Sequence, residues 1–215
     1  MCAALLAGGP SACETTSTAP PDSHLNGNWR LDRSASDDPD ATIAKAMNAA
    51  EAKLRHRLAR YGYGPDQAPG QSAGPDNSPD APDYSFDTPG DRYGGPGLVG
   101  PDFRGLRARL RQALIPPGAL HFEIQDEVVA IGADQLPPRA YRLGERLSRI
   151  DEYGTAIITP AFSREEFTLK SNYTSHAQRI ETYSVNPANG ALTLTQQLTD
   201  PIVGRILLHS IYRRS

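Results

Sequence analysis

A run of strand-length segments separated by turn residues occupies residues 119–214, and it limits the folds open to this chain more than any other feature. Polar and apolar residues alternate before Asp126-Glu127 and a short apolar run follows it, which predicts a two-stranded hairpin over 120–131. The links between the later segments are too short for a parallel crossover, so neighbouring strands must run antiparallel. The later segments are 139–143, 146–151, 155–159, 164–171, 178–185, 191–198 and 206–212.

Turn chemistry and alternation together favour a single antiparallel meander. Asn189-Gly190 is the strongest turn signal, because both residue types tolerate the positive φ of a tight reversal. Curling such a sheet on itself removes its unpaired edges. We therefore predict a mainly β domain over 119–215, an up-and-down meander closed or strongly curled into a barrel, with a β-sandwich as the alternative.

Two accessory helices are predicted ahead of this domain. The segment 34–62 opens with the N-cap signature that follows Ser34, and a second, basic helix is predicted over 103–116. Between them, 63–102 is rich in Gly, Pro, Asp and Ser and cannot bury enough apolar surface to offset its chain entropy, so we predict a disordered insertion. The apolar stripes are Ile43, Met47, Ala50, Leu54 and Leu58 in the first helix, and Phe103, Leu106, Leu110 and Leu114 in the second.

The N-terminal residues 1–24 resemble the end of a bacterial lipoprotein signal followed by a tether. The small residues Ser11 and Ala12 precede Cys13, and a stretch rich in Ser, Thr and Pro follows it. The resemblance implies that Cys13 is lipidated and that acyl chains anchor an otherwise soluble protein. The alternative is a disordered N-terminus with an incidental cysteine.

A first strand is predicted over 25–33, where Gly27 and Trp29 form a Gly-x-Trp motif. At the start of an antiparallel domain, this motif resembles the first strand of the lipocalins and related calycin barrels. The resemblance implies that Trp29 closes the barrel floor, that Arg213 or Arg214 packs across its ring, and that the barrel holds a small apolar ligand. The alternative is an ordinary core tryptophan.

The layout of the chain also resembles that of envelope proteins of Gram-negative bacteria. The shared features are a Gly-x-Trp-x-Leu start, a Ser-x-Ser-Asp-Asp-Pro segment that begins at Ser34, and a C-terminal Tyr-Arg-Arg that begins at Tyr212. This resemblance implies a periplasm-facing protein anchored at the outer membrane, and it assigns no activity.

No residue cluster predicts catalysis or a cofactor. The five histidines are dispersed, with no pair at metal-ligand spacing, and neither a nucleophile motif nor a Gly-rich phosphate loop occurs. The net charge of -3 gives no electrostatic case for nucleic acid. We therefore expect no enzymatic activity, no cofactor, no metal and no nucleic-acid partner.

These observations favour a non-enzymatic envelope protein whose lipocalin-like domain carries a small hydrophobic ligand. The alternative is an interaction or scaffolding module that docks another envelope component, or the membrane surface, through its basic helices. An apolar cavity would favour the carrier, and a filled interior would favour the docking module. Aromatic residues on predicted strands are the candidate ligand-binding residues: Trp29, Phe122, Tyr141, Phe167 and Tyr183.

Overall fold

The computed structural model describes residues 23–60, 101–163 and 165–215. Within them, ten strands form one antiparallel sheet, and two helices lie between the first and second strands in the chain. The predicted mainly β fold, a strongly curled meander with two accessory helices, is confirmed, and the strands form one sheet rather than the two of a β-sandwich. The predictions for Cys13 and for most of the segments 1–24 and 63–102 lie outside the described residues.

The elements follow one another with short links inside the β domain. In chain order they are β1 (Gly27–Leu31), α1 (Pro39–Arg60), α2 (Phe103–Leu114), β2 (Ala119–Gln125), β3 (Val128–Ala133), β4 (Arg139–Arg142), β5 (Leu147–Asp151), β6 (Gly154–Ser163), β7 (Glu166–Tyr173), β8 (Gln178–Val185), β9 (Leu192–Asp200) and β10 (Gly204–Arg214).

Among the residues that the structure describes, the curled sheet has two free edges, which belong to β4 and β5. The strand order is β4-β3-β2-β1-β10-β9-β8-β7-β6-β5, so β1 joins β2 to the last strand of the chain. β4 and β5 are neighbours in the chain, but they stand at opposite ends of this order and do not pair. We call the gap between them the β4–β5 seam. Curling thus leaves two unpaired edges, contrary to the expectation that it would remove them.

Alternating side chains explain why the strands curl around one core. Along β2, Leu120, Phe122 and Ile124 are buried, while the residues between them are exposed. The same alternation buries residues of the last strand, such as Ile206 and Leu208. Since neighbouring strands place these residues in register, one face of the sheet forms a continuous apolar interior.

Two hairpin turns show the backbone geometry that their residues favour. Gly190 adopts φ 65°, and the backbone N–H of Asn186 donates to the carbonyl of Ala191 at 2.8 Å, as the Asn-Gly signal predicts. Asp126 adopts φ 50° in the two-residue link between β2 and β3.

Strand β6 continues past Pro160, where the alternation pattern predicts an end at Thr159. Proline lacks a backbone N–H and is tolerated in a strand where one side is unpaired. The register of β6 with β5 ends at Ile158, so Pro160 pairs with Leu169 of β7 on one side only. The strand can therefore accommodate the proline.

Both helices bury part of the apolar stripe predicted for them, while Leu54 and Leu58 of α1 and Phe103 of α2 are only half-buried. In α1 the first turns bury Ile43 and Met47, which pack with α2 and β10. In α2, Leu106 and Leu110 are buried, and Asp102 caps the helix by accepting a hydrogen bond from the backbone N–H of Gly105 at 2.9 Å. In the described part of the chain, neither helix has the length and hydropathy needed to cross a bilayer.

The segment after β1 completes the edge of β10. β1 pairs with β10 only over Tyr212–Arg214. Beyond it, Asp37 Oδ2 accepts from the backbone N–H of His209 at 2.8 Å, and Ser36 Oγ accepts from that of Ile211 at 2.9 Å. Asp38 then caps α1 by accepting from the backbone N–H of Asp40 at 2.9 Å. The acidic Ser-x-Ser-Asp-Asp segment therefore holds a strand edge and starts a helix.

Candidate functional site

A cavity of about 330 Å³ lies between the end of α2, the β4–β5 seam and the interior of the curled sheet. We call it the interior cavity. The end of α2 contributes Ala113, and the two free edges contribute Tyr141 from β4 and Arg149 from β5. Strands far apart in the sequence contribute the inner wall, because curling brings their buried faces together. Apolar residues of that wall are Leu120, Ile131, Leu169 and Leu194.

The rim of the interior cavity carries exposed apolar side chains. Ile115, which follows α2, is 50% exposed, and Leu136, in the link between β3 and β4, is 60% exposed. Prolines border them, with Pro116 and Pro117 on the helix side and Pro137 on the strand side. An apolar rim that continues into an apolar wall lowers the cost of moving a hydrophobic molecule inward.

A buried ion pair interrupts this apolar wall. Arg179 Nη2 of β8 lies 3.3 Å from Glu181 Oε2 on the same strand, and the two side chains are only 13% and 14% exposed. Arg179 Nη1 also donates to the carbonyl oxygen of Ala113 at the end of α2, at 3.3 Å. The carboxylate of Glu181 raises the pKa of Arg179 further above its usual range, so the guanidinium stays charged.

Two buried polar atoms, one in this ion pair and one next to it, lack hydrogen-bond partners among the described residues. They are Nε of Arg179, a donor, and Oε1 of Gln196, an acceptor on the neighbouring strand β9. Gln196 is 3% exposed and lies opposite Glu181 in the register of β8 and β9. Burying a polar atom without a partner costs on the order of 1–3 kcal/mol, so such atoms in a cavity wall indicate a place for a polar group.

Four of the five predicted ligand-binding aromatics form one cluster. Tyr183 lies 5.1 Å from Phe122 and 6.2 Å from Phe167, measured between ring centroids. Tyr141 lies 6.3 Å from Phe167. Tyr141 and Tyr183 line the interior cavity, while Phe122 and Phe167 are buried without lining it. Burial raises the pKa of Tyr183 well above its usual value, so it is neutral at physiological pH. A binding role for these residues stays a prediction.

Trp29 occupies a different place from this cluster. It is fully buried, does not line the interior cavity, and donates from Nε1 to the carbonyl oxygen of Leu25 at 2.9 Å. The guanidinium carbon of Arg214 lies 5.0 Å from its ring centroid, so the predicted cation over the ring is confirmed. Arg213 instead forms an ion pair with Asp32 at 3.4 Å. The contacts of Trp29 are those of a core residue, and its closure of a barrel floor stays a prediction.

No group of three or more His, Cys, Asp or Glu side chains that could hold a metal ion occurs within residues 23–60, 101–163 and 165–215.

Comparisons with known proteins find similar structures at low sequence identity. A fatty acid transporter, REP1-NXSQ, aligns at a TM-score of 0.44 and 12% identity, covering 89% of this chain and 96% of that one. Lipid binding protein 8 from Caenorhabditis elegans aligns at 0.45 and 12%, with coverage of 89% and 96%. A luciferase domain from the dinoflagellate Lingulodinium polyedrum aligns at 0.47 and 9%, with coverage of 91% and 43%.

With TM-scores below 0.5, these similarities carry no argument about this chain. No model of a protein family matches it, and no curated protein matches it either.

The polar residues of the interior cavity escaped prediction from the sequence, which favoured aromatic residues. A signal was present, because residues two apart on a strand share a face. Arg179 and Glu181 have the same parity as Tyr183, a predicted interior residue, whereas Ile180 and Thr182 between them have the other. If the alternation of faces along the strand had been given more weight than hydrophobicity, the sequence would have placed Arg179 and Glu181 on the interior face.

Proposed function

We propose that this protein is a non-enzymatic carrier that holds a small, mainly apolar molecule in its interior cavity. The observation that carries the proposal is the cavity itself: apolar walls from several strands, apolar side chains on the rim at a gap in the sheet, polar side chains in the inner wall, and charged side chains along the two free edges. In small-molecule sites, apolar walls supply affinity and polar groups orient the ligand. An open cavity also favours a carrier over a docking module.

The size of the cavity limits the ligand. Its volume of about 330 Å³ is at the low end of the range for small-molecule sites, roughly 300–1,000 Å³. One water occupies about 30 Å³ of liquid, so the cavity has room for about ten groups of methylene size. Single-chain amphiphiles with about ten carbons are therefore suitable probes.

The β4–β5 seam offers a way in. The interior cavity is lined by residues of both free edges, including Arg139 and Tyr141 of β4 and Arg149 of β5. Because no backbone hydrogen bonds join the two strands, separating them breaks none of the pairing in the sheet. A ligand can then enter at modest energetic cost.

Isothermal titration calorimetry with 1-decanol and with decanoate tests the carrier proposal. Ala133 lines the interior cavity at the end of β3, so Ala133→Trp should fill space there and weaken binding of whichever probe binds by about tenfold or more. Ala161→Trp is the matched control, because Ala161 is exposed on β6, and it should leave the affinity unchanged. Binding that is equal in both variants, or absent from the wild type, would contradict the proposal.

We further propose that the protein faces the periplasm and is anchored at the outer membrane through lipidated Cys13. The support is the resemblance of 1–24 to a lipoprotein signal and of the layout to Gram-negative envelope proteins. Mass spectrometry of protein from the membrane fraction of a Gram-negative host should find acyl chains on Cys13. Cys13→Ser should abolish the modification, whereas Cys2→Ser should not; an unmodified Cys13 in the soluble fraction would overturn this proposal.

A further inference from the structure

The buried charges in the wall of the interior cavity already neutralise each other. Arg179 and Glu181 lie 3.3 Å apart and are each less than one-seventh exposed. A carboxylate ligand placed beside this pair would gain attraction from Arg179 but meet repulsion from Glu181, and it would lose its hydration on entry. At this place the wall therefore offers an anionic headgroup no unpaired cation; the other arginines that line the cavity, Arg139 and Arg149, stand on the free edges β4 and β5.

The two unpartnered atoms have complementary hydrogen-bonding roles. Arg179 Nε can only donate, and Gln196 Oε1 can only accept. On the inner face the two residues are diagonal neighbours, since Arg179 stands opposite Leu198 and Gln196 stands opposite Glu181. Both atoms are enclosed in the structure, although their side chains line the interior cavity, so a ligand would reach them only if Gln196 rotates and Arg179 and Glu181 move together as a pair.

A hydroxyl group meets both requirements at once. It donates one hydrogen bond and accepts others, so it can accept a hydrogen bond from Nε–H of Arg179 and donate one to Oε1 of Gln196. A hydroxyl also suits the amide of Gln196 in either of its two orientations, because the amide then presents a donor in place of an acceptor. In the orientation of Gln196 that the structure has, an ionised carboxylate, which only accepts, leaves Oε1 without a partner.

We propose that the ligand of the interior cavity is an uncharged amphiphile with a hydroxyl headgroup, which binds between Arg179 and Gln196 while the Arg179–Glu181 pair stays intact. This inference rests on the carrier function proposed above and specifies its ligand class. It also gives Glu181 a role, namely to exclude carboxylates by cancelling the charge of Arg179.

Calorimetry at pH 7.5, where decanoate is ionised, tests the headgroup. The wild-type protein should bind 1-decanol at least about tenfold more tightly than decanoate, since a mismatch in buried polar pairing costs about that much. Glu181→Gln removes the repulsion and frees Arg179, so it should strengthen decanoate binding about tenfold.

A second variant tests the acceptor. Gln196→Leu should weaken 1-decanol binding about fivefold, the usual value of one hydrogen bond. Gln197→Leu is its matched control, because Gln197 is the next residue on β9 and has the opposite parity, and it should leave binding unchanged. The wild-type comparison requires no variant, so it decides the matter even if Gln196→Leu does not fold.

The outcomes separate the headgroup from the carrier function. Decanoate binding that equals or exceeds 1-decanol binding, is unaffected by Glu181→Gln and is blocked by Ala133→Trp would overturn the hydroxyl headgroup and leave the carrier proposal standing. Decanoate held at the exposed arginines of the β4–β5 seam would give this result. Absence of binding by both probes would overturn both proposals.

Discussion

Arg214 stands directly opposite Trp29 in the register of β10 and β1, with its guanidinium carbon 5.0 Å from the centroid of the indole ring. Arg214 Nη2 also donates to the carbonyl oxygen of His24 at 3.0 Å. The last strand is thus tied to the first strand and to the segment before it. This contact joins β1 and β10, which lie near the middle of the strand order and far from the β4–β5 seam.

Replacing Arg214 should destabilise the fold. Arg214→Gln removes the cation from the ring and the hydrogen bond to His24, and should lower the free energy of unfolding by about 1–2 kcal/mol. Trp29→Ala should cost about 3–5 kcal/mol, because it empties a fully buried site. Urea denaturation followed by circular dichroism measures both. Arg213→Gln is the control: the Arg213 side chain is 55% exposed and its ion pair should contribute little, so a loss as large as that of Arg214→Gln would contradict the role given to the ring contact.

Removing the side chain of Asp37 should loosen the edge of β10. Its Oδ2 accepts from the backbone N–H of His209, at a part of the strand that β1 does not reach. Asp37→Ala should lower the free energy of unfolding by about 1 kcal/mol. Asp37→Asn keeps an acceptor oxygen and should lose about half as much or less. Amide hydrogen exchange at His209 checks the mechanism, and equal exchange in wild type and Asp37→Ala would count against it.

A side chain at Gly190 should strain the link between β8 and β9. Gly190 has φ 65°, with nothing within 4 Å of the position where a Cβ would lie, so the backbone conformation alone sets the cost. Gly190→Ala should destabilise by about 1–2 kcal/mol, and Gly190→Asn by distinctly less, because Asn tolerates the left-handed region. Thermal unfolding compares them, and equal melting temperatures for the two variants would refute the explanation.

Alkaline pH should destabilise the protein through its buried tyrosines. Burial raises the pKa of Tyr183, and also of Tyr173 and Tyr212, above the usual value of about 10. Below pH about 10 these tyrosines are neutral in both the folded and the unfolded protein, so the free energy of unfolding does not yet change with their ionisation. As the pH rises further, only the unfolded chain ionises readily, and the free energy of unfolding falls. Urea titrations from about pH 8 to pH 11 should show this fall, with a shallower slope in Tyr183→Phe. Parallel curves for the two proteins would contradict it.

The strands were predictable from the sequence because their patterns are local. Alternation placed Phe167, Leu194 and Ile206 inside, and the curled meander followed from short links and turn residues. The two ends of the sheet were harder to foresee, since pairing between β4 and β5 depends on the curvature of all ten strands. The sequence predicts an end at Thr159 because the one-sided pairing of β6 that accommodates Pro160 is a tertiary property.

The candidate site was predictable only in part. The aromatic cluster around Tyr183 was anticipated from residue type, as was the cation over Trp29 from a family resemblance. Arg179 and Glu181 were missed because charged residues are expected outside, and a preference of this kind outweighs the strand parity that placed them inside. Arg179 and Glu181 can be buried because they pair with each other and because Arg179 also donates to the carbonyl oxygen of Ala113, which lies far away in the sequence.

The free edges of β4 and β5 also affect how copies of this protein meet. An unpaired strand is a template for a strand from another molecule, which leads to aggregation unless something discourages it. Here, arginines stand on or next to both edges, and two molecules aligned edge to edge would bring like charges together at close range. The β4–β5 seam, which we propose as the ligand entry, is thereby protected from self-association. These arginines are Arg139, Arg142, Arg146 and Arg149.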